Sequence, residues 1–241
     1  MANALTLLNN VLRGLRRDAV TTVSTTDAYH LMLIQYLNRA KNDIEQKWDW
    51  QALRQTVTIT LSASTQTYSL TVGDKARLLY QKPSTLNGDW FETTRKDRDS
   101  KPQVFDVTDS TEYRLTEIPW EKFEMSRLTD NDDTNEKPIY FALRRTGTTY
   151  EMGVWPMPTG SRTLKARFVV PQAAIPSQYM TNYSLLVPEE PVWTHALALA
   201  VEERGEGVGR PAQSLRDEAD QALYLAIEPE MTDDDKSIVP V

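Results

Sequence analysis

The sequence has no cysteine and only two histidines among its 241 residues. The absence of cysteine excludes disulfide bonds, thiolate catalysis and cysteine-ligated zinc or iron–sulfur sites. The two histidines, His30 and His195, belong to no His-Glu-x-x-His motif, which excludes the usual zinc hydrolase arrangement. The sequence therefore predicts neither a metal nor any other cofactor.

Long apolar runs and a surplus of basic residues are also missing. No apolar run approaches the roughly 18 residues that a membrane-spanning helix needs, and the first ten residues lack the pattern of a signal peptide. We therefore expect no membrane association, and synthesis in the cytoplasm with use there or in an assembled particle. The net charge of −7 argues against tight nucleic-acid binding, although an acidic protein can line a channel along which DNA slides.

The N-terminal part, residues 1–55, has the patterns of two helices. The first is built on leucines from Leu5 to Leu15, and three arginines lie at or just after its end, namely Arg13, Arg16 and Arg17. In a longer second helix one apolar stripe recurs at helical spacing, comprising Leu33, Leu37, Ala40, Ile44 and Trp48. We expect Thr25 or Thr26 to cap this helix, with Asp27 favouring its N-terminal dipole.

After Trp50 the apolar period changes from helical to alternating, which predicts a β domain over residues 56–171. Residues 56–61 alternate threonines with apolar side chains, and residues 67–70 are interpreted as the returning strand of the same hairpin. Asn87-Gly88 and Thr146-Gly147 each separate two strand patterns and predict further hairpins. These features are typical of an antiparallel sandwich or partly open barrel.

A densely charged segment, residues 92–137, interrupts the β pattern. Within it, a short amphipathic helix is predicted to start near Pro119. Because a loop of this length is usually functional or mobile, we interpret the segment as an insertion that reaches a neighbouring subunit. The candidate inter-subunit residues are Arg95, Lys96, Arg98, Trp120 and Phe123.

The C-terminal part, residues 172–231, returns to helical patterns and is expected to pack on the N-terminal helices. An almost wholly apolar helix begins near Pro191 and stops at Gly205. Residues 214–217 resemble a capping box that opens a final helix. Residues 232–241 form an extended tail. The predicted fold class is therefore α+β, with a helical bundle from both ends of the chain flanking a central β domain.

Motifs that carry chemistry occur only in unsuitable surroundings. Residues 205–209 are rich in glycine but follow a helix, whereas a phosphate-binding loop follows a strand. Acidic residues alternate over 130–136, but Asn135 stands where a calcium loop needs glycine. His195 is interpreted as a packing residue, and the six tryptophans as core residues where helices dock on the β domain. We therefore predict that the protein is not an enzyme.

Several short motifs occur in an order that resembles a known family. They are Leu37-Asn38-Arg39-Ala40, Trp48-Asp49-Trp50-Gln51, Pro138-Ile139-Tyr140-Phe141, Val154-Trp155-Pro156-Met157-Pro158 and Val187-Pro188-Glu189-Glu190-Pro191. In this order they resemble the head–tail adaptor, or connector, proteins of tailed bacteriophages, particularly the podoviral tail tubular protein A group. The resemblance covers roughly residues 27–226.

The resemblance implies a structural virion protein that supplies no catalytic residues. It implies a twelve-fold ring of this chain at the head–tail junction, assembled in the bacterial host cytoplasm. The portal protein then lies above the ring and a tail component below it, and double-stranded DNA passes through without sequence recognition.

A ring subunit needs two complementary lateral faces, and the second helix and the charged segment are candidates for them. Arg13, Arg16 and Arg17 are candidate contacts to DNA or to the portal. The end of the tail is expected to add as a strand or hook to the portal or a neighbour, through Ser237, Ile238, Val239, Pro240 and Val241. Two alternatives remain open: a carbohydrate- or receptor-binding virion module with exposed aromatics, and a cell-wall polysaccharide hydrolase with two carboxylates.

Overall fold

The protein is described by a computed structural model over residues 3–23, 27–73, 75–83, 90–96, 98–129, 134–135, 137–147, 149–178, 180–205 and 209–231. The chain divides into two compact units. The helical unit comprises Met1–Leu53 and Gln172–Val241, and the sheet unit comprises Arg54–Pro171. Helices from both ends of the chain thus flank a central, mainly antiparallel sheet region, which confirms the predicted α+β class.

The helices follow the apolar periodicity of the sequence closely. They are α1 (Ala4–Gly14), α2 (Ala28–Lys47), α3 (Trp120–Thr129), α4 (Glu189–Arg204) and α5 (Ala212–Ile227). In the helical unit α4 contacts α1, α2 and α5, and its apolar residues are buried from Ala196 to Val201. Gly14 lets α1 approach α4 closely, because a Cβ there would lie 2.6 Å from a methyl group of Leu197.

Three local expectations about helix ends were wrong. Asp27 itself is the N-cap of α2, because its side chain accepts hydrogen bonds from the backbone N–H groups of Tyr29 and His30; Thr25 and Thr26 lie outside the described residues. Trp48 lies after the helix, which ends at Lys47. Trp50 is fully buried, and its indole N–H donates to the Ile44 carbonyl at 2.9 Å.

The third correction concerns the start of α5. The helix begins at Ala212, before the expected capping box, and no side chain caps its first turn. Pro211 stands at the N-cap position with an extended backbone, so the fixed φ of proline sets the entry into the helix instead of a capping hydroxyl.

A buried polar network holds the extended segment after Pro171 against α2. The Lys41 ammonium donates to the Gln172 carbonyl at 2.7 Å, and a Glu45 carboxylate oxygen accepts from the Gln172 N–H at 3.2 Å. Lys41 and Glu45 also pair at 3.1 Å with side chains 0% and 1% exposed. Asn38 makes two further hydrogen bonds to the backbone of Ile175. These bonds satisfy backbone groups of a segment that has no sheet or helix of its own.

The sheet unit contains fourteen strands among the described residues. They are β1 (Arg54–Leu61), β2 (Thr67–Leu70), β3 (Arg77–Leu78), β4 (Tyr80–Pro83), β5 (Trp90–Thr93), β6 (Lys101–Pro102), β7 (Val104–Asp106), β8 (Tyr113–Arg114), β9 (Thr116–Glu117), β10 (Thr134–Asn135), β11 (Tyr140–Thr146), β12 (Thr149–Trp155), β13 (Met157–Pro158) and β14 (Arg162–Val169). One sheet has the order β1-β14-β7-β8 with β3 also on β14, a second the order β2-β12-β11-β9, and a third the order β5-β4-β6.

The first two sheets share one apolar core, as the layers of a sandwich do. Ile59, Leu164 and Phe168 come from the first sheet, and Phe141 and Met152 come from the second. Their neighbours on the opposite faces are mostly polar, which is the alternation that the sequence predicted. The pairs β9–β11 and β10–β13 run parallel, and the other pairs are antiparallel.

The predicted hairpin of β1 and β2 was wrong. β1 pairs along its whole length with β14, so that Val57 lies opposite Ala166 and Ile59 opposite Leu164, whereas β2 pairs with β12 in the other sheet. The pairing with β14 extends over eight positions, of which these two match apolar residues, whereas β2 has only four residues to offer. The hairpin of β11 and β12 is confirmed, with Gly147 at a φ of +61° in its turn. Asn87-Gly88 lies outside the described residues.

The interpretation of residues 92–137 as an insertion loop was also wrong. The segment contains β7, which lies between β14 and β8 inside the five-stranded sheet, and Val104 of β7 is fully buried. It also contains α3, which begins at Trp120 as predicted and lies on β11 and β12. The segment is therefore part of the sheet unit.

Candidate assembly surfaces

The three N-terminal arginines lie around the C-terminal end of α1. Arg16 has a φ of +58°, and the N–H groups of Arg16 and Arg17 donate to the carbonyls of Arg13 and Leu12. This is a Schellman motif, in which glycine usually takes the left-handed position. Arg13, Arg16 and Arg17 are all exposed, and their charges are favourable beside the last carbonyls of a helix.

A tyrosine and a fourth arginine join this group. The guanidinium carbons of Arg17 and Arg204 lie 4.4 Å and 5.1 Å from the ring centroid of Tyr29, within the range of cation–π attraction. Arg204 comes from the last turn of α4. No local pattern predicts the contact of Arg204 with Tyr29, because it joins residues of α4 and α2 that are far apart in the chain.

The structure separates the five candidate inter-subunit residues. Phe123 is fully buried and covers Gly153 so closely that a Cβ at that glycine would lie 2.5 Å from the ring. Phe123 is therefore a core residue, and its assignment to an inter-subunit loop was wrong. Trp120 is half-buried, with the Arg144 guanidinium 4.3 Å from its ring centroid.

The other three candidates are exposed, namely Arg95, Lys96 and Arg98. Lys96 pairs with Glu117 at 2.9 Å, and the hydroxyl of Tyr80 donates to the same carboxylate at 2.9 Å. Burial and the charge of Glu117 raise the pKa of Tyr80 well above its usual value. Tyr80 therefore stays protonated and can keep donating to Glu117. The tail candidates, residues 237–241, lie outside the described residues.

A surface that the sequence reading missed lies on α3. Met125 is 66% exposed and Leu128 is 78% exposed, although Trp120 and Phe123 on another face of this helix contact the sheet unit's core. The sequence of α3 contains two apolar pairs at a spacing of three residues, Trp120 with Phe123 and Met125 with Leu128. One face of the helix can bury only one of these pairs. On α5, Tyr224 and Leu225 are likewise 47% and 57% exposed.

A charged cluster stabilises the end of the five-stranded sheet. Arg162 donates to Asp106 inside the unit and to Asp109 at 2.8 Å, and Lys137 also pairs with Asp109 at 2.7 Å. Burial alone would raise the pKa of Asp106, but hydrogen bonds from Arg162 and Thr108 outweigh it and hold that pKa below its usual value. The hydrogen bond with Asp106 raises the pKa of Arg162. Each buried charge thus has a partner, as a structural ion pair requires.

The described residues offer no arrangement typical of catalysis. They contain no group of three or more side chains that could hold a metal ion. His195 is half-buried and lies 3.4 Å from Asp43, and the Nδ1 atom of His30 lies 2.7 Å from its neighbour Asp27. Both histidines belong to helix surfaces and helix ends, which agrees with their interpretation as structural residues.

A sugar-stacking surface would need exposed aromatic rings. Over the described side chains of the sheet unit, Tyr113 is the one large aromatic residue that is exposed, at 42%. Trp155 packs with Tyr140 at a centroid distance of 5.8 Å. No helix within the described ranges is both long and apolar enough to cross a bilayer.

Comparison with known proteins gives one family. The model of the SU10 adaptor protein family matches residues 2–240, which is nearly the whole chain. A search of curated proteins found no match. The family match agrees with the surfaces described above, which offer exposed charged and apolar side chains for contacts. The chain therefore belongs to the SU10 adaptor protein family and is a structural adaptor protein of a bacteriophage.

Proposed function

We propose that the protein is a head–tail adaptor that forms a ring at the head–tail junction of the virion. The ring, twelve-fold by analogy with the podoviral tail tubular protein A group, binds the portal on one side and a tail component on the other. Double-stranded DNA passes through it without sequence recognition. The observation that carries this proposal is the family match over residues 2–240, together with the order of motifs in the sequence.

The surface chemistry supports assembly in a ring. A closed ring needs a heterologous interface, in which two different patches of each subunit meet. The chain has two different exposed apolar patches, Met125 with Leu128 on α3 and Tyr224 with Leu225 on α5. Exposed large apolar side chains that lie close together usually mark an interaction site. The exposed charges of Arg95, Lys96 and Arg98 are proposed to lie at the rim of a subunit contact.

The arginines at the end of α1 are proposed to contact DNA or the portal. The chain as a whole is acidic, with a net charge of −7, so a local group of Arg13, Arg16 and Arg17 is a distinct basic feature. Such a group can hold a few phosphates without binding DNA tightly, because each neutralised phosphate adds only one released counterion. Weak and salt-sensitive contact suits a passage through which DNA must slide.

The test is to mix the purified protein with its portal protein and to image the mixture by negative-stain electron microscopy. We expect a ring of added density on the portal with matching rotational symmetry. L128E and L225E, which place a charge in the exposed apolar patches, should reduce ring formation at least tenfold, whereas K122E on another exposed position of α3 should not. Portals that carry no added density at saturating protein would refute the proposal.

A further inference from the structure

The sheet unit has a cleft of about 530 Å³ beside the end of α3, a volume within the range of about 300–1,000 Å³ that binding clefts occupy. It is lined by Ser64, Thr65, Gln66, Thr67, Arg127, Leu128 and Met157. These residues come from the β1–β2 connection, from the start of β2, from the last turn of α3 and from β13. The proposed function uses Leu128 as part of an exposed apolar patch but names no partner for this cleft.

One wall of the cleft is apolar and exposed. Leu128 is 78% exposed, and Met157, which also lines the cleft, is half-buried. Met125, one turn before Leu128 on α3, is 66% exposed. An occupant with branched apolar side chains would remove this surface from water, which favours binding.

The floor of the cleft contains an unsatisfied hydrogen-bond donor. Gln66 is 9% exposed, and its side-chain amide nitrogen has no hydrogen-bond partner within the described part of the chain. Its backbone carbonyl, by contrast, accepts from the Val154 N–H at 2.8 Å. A buried donor without a partner is costly. An occupant that brings a backbone carbonyl to this position would satisfy it.

The cleft also adjoins a sheet edge. β2 stands at the end of its sheet among the described strands, and Thr67, its first residue, lines the cleft. The outer backbone groups of an edge strand can pair with an added extended segment. The site is therefore suited to an extended peptide with apolar side chains, and not to a compact ligand.

The charge of the lining is positive. Arg127 is exposed, and none of the described lining residues is acidic. An acidic segment next to the apolar side chains of the occupant would complement Arg127. The C-terminal segment of this chain has both properties in order: the acidic run Asp233-Asp234-Asp235, followed by Ile238 and Val239.

We propose that this cleft receives residues 232–241 of a neighbouring copy of the chain, as an added strand along β2. Val239 then lies against Leu128, and the acidic run lies near Arg127. Ten residues of extended chain reach at most about 33–36 Å beyond Met231, so the proposal requires the neighbour's cleft to lie within that distance of Met231. This inference rests on the ring proposed above, and it identifies the surface that the C-terminal tail binds.

The test uses the natural absence of cysteine. Full-length L128C and V239C proteins are mixed in equal amounts, assembled on the portal and oxidised gently. We expect a covalent dimer on a non-reducing gel, at least tenfold more abundant than from a mixture of K122C and V239C. K122C is the matched control, because Lys122 is an exposed residue of the same helix as Leu128 and lies outside both apolar patches. R127E should lower the dimer yield, and R145E, at another exposed arginine of the same unit, should not.

Each result decides the proposal. Rings in micrographs with no dimer above the K122C control overturn the cleft assignment and leave the adaptor ring standing. A V239C/L128C double variant that becomes an internally linked monomer also overturns it, since the tail then occupies its own subunit. Dimers without rings would support the tail contact and refute the ring, and the absence of both would refute the two together.

Discussion

The buried ion pair of α2 allows a sharp stability prediction. Lys41 and Glu45 are 0% and 1% exposed, and Lys41 also donates to the Gln172 carbonyl at 2.7 Å. K41M keeps much of the side chain's volume but leaves the buried Glu45 carboxyl without the Lys41 ammonium. Removing one partner of such a pair costs about 3–5 kcal/mol. We expect the free energy of unfolding of K41M to fall by that amount.

The double variant K41M/E45M separates charge burial from packing. It removes both charges, and the remaining cost comes from the N–H and carbonyl of Gln172, which lose their partners at about 1–3 kcal/mol each. The double variant should therefore lose less stability than the sum of K41M and E45M, with a coupling of about 2 kcal/mol or more. Urea unfolding followed by far-UV circular dichroism measures all four proteins.

The matched control is an exposed ion pair between α2 and α5. Lys47 lies 3.4 Å from Asp220, with side chains 48% and 70% exposed. K47M should change stability by less than about 0.5 kcal/mol, because solvent screens such pairs. A loss below about 1 kcal/mol for K41M, or single effects that add fully in the double variant, would refute the account of the network.

Three other predictions test separate features. G153A should destabilise the protein by about 1–3 kcal/mol in the same urea assay, because the new methyl group overlaps the ring of Phe123. R16G should stabilise it by about 0.5–1 kcal/mol, because glycine relieves the positive φ, and should weaken portal or DNA binding in a pull-down assay. Asp106 has a lowered pKa in the folded protein; its contribution is present above its unfolded pKa of about 3.9 and is lost as pH falls through the lower folded pKa. Thermal unfolding between pH 5 and pH 2 should therefore show a steeper loss for the wild type than for D106N.

These predictions have their own controls. G160A tests a glycine with open space around its Cβ position and an ordinary φ, and it should leave stability within about 0.5 kcal/mol. F123A alone is expected to be costly because the ring is fully buried. In the F123A background, G153A should cost much less than it does in the wild type if ring overlap is its cause. Equal acid sensitivity of D106N and the wild type would mean that the Arg162 pair does not govern the pH dependence. An R16G protein that binds as well as the wild type would assign Arg16 to the helix end alone.

The elements that could be predicted from the sequence are those in which the apolar pattern repeats several times along one helix or strand. The stripe of α2 and the apolar circumference of α4 each repeat over three or more turns, and the hairpin of β11 and β12 has a Gly147 turn between two alternating runs. In these elements local propensity and burial agree, so the pattern alone is sufficient.

Strand partners could not be predicted in the same way. The turn after β1 indicates that the chain changes direction there. It does not indicate that β1 pairs with β14, about a hundred residues further along the chain. The short strands β6 to β9 have two or three residues each, too few for alternation to appear. Their charged outer side chains therefore suggested a loop. Pairing across long sequence separations depends on the whole core and not on local pattern.

The candidate surfaces were also only partly visible in the sequence. The charges of Arg13, Arg16 and Arg17 are evident in the sequence, but the contact of Arg17 with Tyr29 depends on how helices pack. Likewise, Phe123 and Leu128 are both apolar residues of α3, and packing on the sheet decides that the first is buried and the second exposed. The amphipathic pattern shows which faces of a helix could be buried, and the tertiary structure determines which of them is buried.

The discontinuous make-up of the helical unit has a consequence for synthesis on the ribosome. Residues of the sheet unit are contiguous, so it can fold as soon as it has emerged. The apolar stripes of α1 and α2, however, wait for α4, which is made after the whole sheet unit. At about 5–20 residues per second this delay is roughly 10–30 s. During that interval the nascent chain exposes these apolar stripes, which makes it a natural substrate for host chaperones. The delay also sets a minimum time before competent subunits appear.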